Sequence, residues 1–353
     1  MKLPLRLLLF TVVLLMIGCT SEDPSAPPTE NPLVTSGVYI LNEGGFNTNT
    51  ATLSVFLPDS HKVYTDVFSA ANNRNLGDIG NDIVLYNNKA YIVMNNSHRV
   101  EVISASTHAS LGIISVPGNS PYKLTIVNGS KGYITNLYKG TVTAFDPATY
   151  AILKDNIKVG ANPQGIITAG GKVFVCNSGF GADSTISVID PAKDSVIATI
   201  SVTASPVDIA LDADGDLIVV SYGVGSYPDP AKESSGAITV IDPKTLAVTA
   251  TIPLPMAVYG HPSELTLSQY GYGYTVVKNG ILKFDTRTNT ITAQQFLPLT
   301  PYAIAVDDAT ERLYTGDARD FNSNGMLRVH TKTGITVDSA VVGIIPGTIV
   351  FKR

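Results

Sequence analysis

An all-β, seven-bladed propeller is the fold this chain predicts. Three observations carry the prediction: a recurring strand motif, a recurring proline, and a strand missing from the first repeat. The motif is an apolar strand ending in Asp-Pro, as in Thr185 to Pro191, Thr141 to Pro147 and Ala237 to Pro243, with fainter copies at Ile281 to Asp285 and Met326 to His330. A proline opens successive units at Pro121, Pro163, Pro206, Pro262, Pro301 and Pro346, in steps of 42, 43, 56, 39 and 45 residues. All-strand repeats of about 40 to 45 residues are propeller blades of four strands each.

Blade one supplies only three strand signals, at Val38 to Asn42, Ala51 to Phe56 and Val63 to Phe68. Its fourth lies at the other end of the chain. Gly347 to Lys352 follows the Pro346 marker as the innermost strand of a unit, so it is expected to complete blade one and close the ring, removing the open sheet edges. The remaining blades open at Asp82 to Tyr86, Tyr122 to Val127, Gly165 to Thr168, Val207 to Leu211, Glu264 to Leu267 and Tyr302 to Val306. With the split blade, that makes seven, all in one domain over residues 37–353. A single chain that closes its own ring is expected to be monomeric.

Composition agrees with this class and excludes others. Hydrophobic residues make up 44% of the 353 positions and charged residues only 15%, enough to bury a large core, while 30 Gly and 21 Pro supply turns. A formal charge of −5, with no basic cluster beyond the N-terminus, lacks the electrostatic footprint of nucleic-acid binding. There is no Trp, which argues against Trp-Asp repeat propellers and against propellers that hold a quinone between indoles.

The N-terminus is an address. Met1 to Arg6 and the apolar run Leu7 to Ile17 have the charged and hydrophobic regions of a secretory signal over residues 1–18, and the run is short for a membrane span. It ends in Met16-Ile17-Gly18-Cys19, which resembles a lipobox, so Cys19 is the expected site of lipidation. Residues 19–36 then read as a Pro-rich polar tether. The acidic Ser21-Glu22-Asp23 resembles a surface-export signal, which places the expected location at the outer membrane, exposed on the cell surface. The second cysteine, Cys176, lies in the apolar strand Val173 to Asn177 and reads as a buried, inert thiol.

Alternating strand direction makes the two propeller faces unequal. Turns on one face are short, such as Asn128 to Lys131, Ala169 to Lys172 and Asp285 to Thr288, with the Asn, Asp and Gly chemistry of hairpins. The other face carries long connections at Glu43 to Thr50, Ser178 to Ser184, Tyr222 to Ser235 and Asp317 to Asn324. Long loops on a rigid scaffold are where function sits.

That face gathers aromatic, amide and charged groups suited to a small-molecule site: Phe46, Arg74, Tyr122, Tyr138, Asn177, Phe180, Tyr222, Tyr259, His261, Tyr302, Asp317 and Arg319, with Phe321 beside them. No cofactor or metal is expected. Asp212-Ala-Asp-Gly-Asp216 looks like a calcium loop but lacks the remaining ligand set, and it falls on a hairpin turn. No nucleophile elbow or zinc-helix histidine pair is present. An enzymatic alternative would use carboxylates converging on the axis, drawn from Glu43, Asp78, Glu264 and Asp317.

Several stretches resemble a known family: Leu41 to Gly44, Leu76 to Ile83, Tyr91 to Asn96, and Pro301 to Val306 with Leu313 to Arg319. They are similar to the YncE-like (YVTN-repeat) seven-bladed propeller lipoproteins, and within these to the group that includes the surface cobalamin-binding BtuG proteins. The resemblance spans residues 37–352. It implies a lipid-anchored binding protein, not an enzyme, that captures a nutrient such as a corrinoid (cobalamin) and delivers it to an outer-membrane transporter. A protein-docking propeller and a lactonase-like hydrolase remain as alternatives.

Overall fold

The structure, a computed structural model, describes residues 30–353. Cys19, the signal and most of the tether lie outside these residues. Seven four-stranded antiparallel sheets form the molecule, and their innermost strands contact one another in cyclic order. Those strands are Pro346–Lys352, Gly80–Tyr86, Pro121–Asn128, Pro163–Ala169, Pro206–Leu211, Ser263–Ser268 and Ala303–Asp307. The C-terminal strand pairs with Gly37–Asn42, from Gly37 opposite Lys352 to Asn42 opposite Pro346. Blade one is thus built from both ends of the propeller, as the repeat count requires.

Each blade is graded from inside to outside. The second strands pack against neighbouring blades on both faces and read as unbroken apolar runs; Val173, Phe174, Val175 and Cys176 are all fully buried. Outer strands such as Ser195–Ser201 are mostly exposed or half-buried, with Ile200 alone turned into the core. Full burial of a side chain of the Val or Phe class stabilises by about 1.5–3 kcal/mol, so the middle strands hold the ring together. Burial also pushes the Cys176 thiol well above its ordinary range, which makes it unreactive.

Two repeated devices fix the blades. An Asn ending the second strand donates to two hydroxyls on the third: Asn42 to Thr52 and Ser54, Asn136 to Thr141 and Thr143, Asn177 to Thr185 and Ser187. On the opposite face, Lys89 and Tyr91 donate to the Pro147 carbonyl of the next blade, while Lys131 reaches the Pro191 carbonyl and Tyr133 reaches Asp194. The Asp-Pro turns cap themselves, because Asp146, Asp190 and Asp242 each accept from the backbone N–H two residues on. Asp212 does likewise for Asp214 and Asp216, so its carboxylate is occupied by its own turn.

One element departs from expectation. Val63 to Phe68 reads as a strand, yet only Lys62–Tyr64 is extended, and Val67–Asn72 is a short helix. Its cause is local: the Asp66 carboxylate caps the helix by accepting from Ser69 N, and Val67 and Phe68 are fully buried in the cluster shared by blades one and two. A second short helix, Met256–Tyr259, lies in the connection into blade six. Residues 31–34, within the stretch read as tether, dock on the plain-turn face. Val34 is buried, its N–H donates to the Ser106 carbonyl, and its own carbonyl accepts from Lys352 Nζ. Among the described residues no helix is long and apolar enough to cross a membrane.

Candidate functional site

A cavity of about 260 Å³ lies on the axis, walled by the first residues of the innermost strands. These strands start on the loop-bearing face, so the cavity belongs to that end of the channel. Its chemistry follows from one repeat position. Two residues after each opening Pro, or after Gly80 in blade two, the chain places Asp82, Lys123, Gly165, Asp208, Glu264, Ala303 and Thr348. Five of these seven, all but Gly165 and Ala303, carry side-chain polar groups. Glu43, Asn81, Tyr122 and Tyr302 complete the polar lining.

The charges are partly spoken for. Lys123 Nζ reaches past blade four to Asp208 Oδ1 at 2.8 Å. The same Asp208 accepts from Leu265 N, and Asp82 accepts from Leu124 N, so each aspartate also clamps the next blade. Glu43 Oε2 accepts from the Tyr302 hydroxyl at 3.1 Å. Glu264 has no hydrogen-bond donor among the described residues, and it sits at φ +48°, in the left-handed region that costs a side-chain-bearing residue on the order of 1 kcal/mol.

Desolvation dominates the titration of the site. Burial pushes the Glu43 carboxyl up to about 7 against the restraining hydrogen bonds of Tyr302 and Asn81. Glu264 likewise rises to about 7, with Lys123 opposing the rise and Asp208 and Glu43 adding to it. Asp82 rises to about 6. Burial pulls the Lys123 ammonium down, but Asp208, Glu264 and Asp82 outweigh it and hold it above its ordinary range. Tyr122 and Tyr302 are held high by burial and remain hydroxyl donors. Two glutamic acids that exchange protons near neutrality thus share a cavity with a fixed ammonium.

Around this end stand aromatic pairs that bridge neighbouring loops. Tyr222 stacks on His261 at 4.3 Å between ring centroids, Tyr302 meets Phe321 edge-on at 5.7 Å, and Tyr138 tilts toward Phe180 at 6.4 Å. His261 is held by the Tyr222 carbonyl and by Glu233. Phe46, 70% exposed, stands on the blade-one loop. Tyr302 belongs to both groups, since it lines the cavity and carries a rim ring.

Other expected site residues are placed elsewhere. Asn177 is fully buried in the strand-linking role it shares with Asn42 and Asn136. Tyr259 is 6% exposed and packs in the core between blades five and six. Arg74 pairs with the fully buried Glu101 at 2.5 Å and lies over Phe68, pinning the loop after the first helix. Asp317 pairs with Arg328 at 2.7 Å and accepts from Arg319 N, leaving the Arg319 side chain exposed on its loop. Of the four carboxylates proposed to converge, Glu43 and Glu264 line the cavity; Asp78 and Asp317 do not. Lys123, Asp82 and Asp208 escaped the sequence reading, although the position two residues after the proline marker would have found Lys123 and Asp208; blade two has Gly80 where the marker would stand, which hides Asp82.

Among the described residues, no group of three or more His, Cys, Asp or Glu side chains is arranged to hold a metal ion. Solved structures share the fold at low identity. A quinonprotein alcohol dehydrogenase-like protein from Bacteroides thetaiotaomicron aligns over 90% of this chain and 78% of its own with a TM-score of 0.68 and 16% identity. A candidate 6-phosphogluconolactonase from Bacteroides uniformis aligns over 90% and 100% with a TM-score of 0.65 and 13% identity. Streptogramin B lyase aligns over 78% and 82% with a TM-score of 0.55 and 15% identity. No curated protein matches the chain. The family is nonetheless clear: residues 36–263 match the family described as a domain of unknown function (DUF5074), and the chain belongs to it.

Proposed function

We propose that this protein is a lipid-anchored envelope binding protein that captures a small-molecule nutrient at the loop-bearing end of its channel and delivers it to an outer-membrane transporter. One observation carries the reading: an axial cavity of mixed charge lies on the same face as three aromatic pairs, with Tyr302 common to both. Small-molecule sites combine such apolar surfaces with a few fixed polar groups. The cavity is at or below the small end of the range of about 300–1,000 Å³ for ligand pockets, so a ligand as large as a corrinoid would lie across the rim and send only a substituent inside. The sequence likeness to YncE-like lipoproteins and the lipobox ending at Cys19 support the envelope setting.

Native mass spectrometry of the mature protein against cobalamin and a metabolite panel tests capture, and retention of no panel member would defeat it. Attachment is tested separately: Cys19→Ser is expected to lose membrane association, and external protease is expected to remove the native protein from whole cells. A hydrolase is the second reading, favoured by Glu43 and Glu264, both near 7 in one cavity, as acid and base partners. Turnover of a lactone panel that is abolished in Glu264→Gln would select it over capture.

A further inference from the structure

The two aspartates of the cavity are consumed by the framework. Asp82 and Asp208 each accept a backbone N–H from the next blade, and Asp208 also takes the only ammonium in the wall, Lys123. Glu264 occupies the equivalent repeat position in blade six but lines the cavity with no donor from the described residues; the bond that ties its strand to blade seven is Val306 N–H to the Thr266 hydroxyl, two residues further along. Glu43, across the cavity, is bound only by neutral donors. The lining therefore sets four carboxylates, Glu43, Asp82, Asp208 and Glu264, against one ammonium, and Lys123, which acts on Glu264 through the field alone, spends its hydrogen bond on Asp208. The second observation is aromatic: Tyr122 and Tyr302 belong to the same wall, and Phe321 and the Tyr222–His261 stack stand at the same end of the channel. π-faces beside carboxylates are the combination that holds an organic ammonium. The carboxylates are spread around the wall, not converged on one point, which suits a diffuse organic cation better than a metal ion.

We propose that the axial cavity receives the positively charged nitrogen of a small organic cation, with Glu264 as its ionic contact and Tyr122 and Tyr302 against its carbon skeleton. This rests on the capture reading and names the ligand class. The groups facing Glu264 are Lys123, Asp208 and Glu43, with Tyr122 and Tyr302 as neutral hydroxyls. Because the carboxylate is the binding form, cation affinity rises with pH through about 7 and then levels, and binding below that pH releases a proton.

Calorimetric titration of the full mature protein with putrescine, choline and neutral myo-inositol tests this, at pH 5.5 and 8 and in buffers of different ionisation enthalpy. Expected are binding of at least one cation, at least tenfold tighter at pH 8 and with proton release at pH 5.5, no binding of myo-inositol, and at least a tenfold loss in Glu264→Gln. A thermal melt of Glu264→Gln shows that the variant is folded, and Glu264→Asp is expected to recover part of the affinity. Failure of every cation to bind, or equal binding of myo-inositol, overturns the proposal. Capture of a ligand without a cationic nitrogen in the native mass spectra leaves the capture reading standing and removes this one.

Discussion

The Tyr302 hydroxyl donates to Glu43 Oε2 across 3.1 Å, tying the start of blade seven to the residue that follows Gly37–Asn42 in blade one, the blade that Pro346–Lys352 completes. That bond stabilises the charged carboxylate, so it opposes the rise that burial imposes on Glu43. Tyr302→Phe is expected to move the Glu43 titration further upward and to cost on the order of 1 kcal/mol of stability at pH 8. Carboxyl carbon shifts followed by NMR would read the midpoint; a midpoint that falls or stays put removes the bond from the account.

Glu43 and Glu264 make stability fall with rising pH. Each has a folded value near 7 against an ordinary 4.5, so between about 4.5 and 7 the folded state binds more protons than the unfolded chain. Their protonated forms favour folding below that window, and the advantage is lost as pH rises through it. Glu43→Gln is expected to be more stable than the native chain at pH 8, by roughly 1–3 kcal/mol, and indistinguishable at pH 4. Urea midpoints at the two pH values decide it.

Two histidines act in the opposite sense. His108, bonded to Tyr39 and Asn31, and His330, between Thr315 and Thr336, are lowered by burial to about 4. Their depressed values stabilise the fold above about 6.5, and this is lost as pH falls toward 4. His330→Asn is expected to shrink the acid-induced fall in thermal midpoint between pH 6.5 and 4.5. An unchanged slope would mean that the ring is already charged in the folded protein.

Closure is testable by deletion. Removing residues 345–353 exposes the inner edge of Gly37–Asn42 and takes away the packing of Ile349, Val350 and Phe351, the last of which meets Tyr314 edge-on. At about 1.5–3 kcal/mol for each well-buried side chain, the loss is several kcal/mol. The truncated chain is expected to unfold at much lower denaturant and to self-associate through the bare strand. A midpoint equal to that of the full chain would deny that the last strand closes the ring.

The two faces are expected to differ in binding. Tyr222→Ala removes the stack on His261 and is expected to weaken a captured ligand by roughly 1–3 kcal/mol. Lys193→Ala, in a turn of the opposite face, is expected to leave affinity unchanged. Titration of both variants with whichever ligand the native protein retains would place the site; equal losses on the two faces would move it off the loops.

The sequence by itself determined the repeat, the number of blades, the displaced closing strand and the inequality of the faces. These are properties of spacing and turn chemistry, which act over a few residues and recur every blade. Even the missed helix at Val67–Asn72 was local, signalled by Asp66 three residues before Ser69. Only the tertiary structure decided which groups meet. Lys123 and Asp208 are 85 residues apart and join because the ring brings the same position of different blades to one axis. Asn177 and Tyr259 look like loop-face residues in the sequence, but strand pairing turns the first inward onto Thr185 and Ser187, and the helix Met256–Tyr259 folds the second into the core. Periodicity tells which residues are equivalent; the curvature of the closed ring decides which of the equivalents face the cavity together.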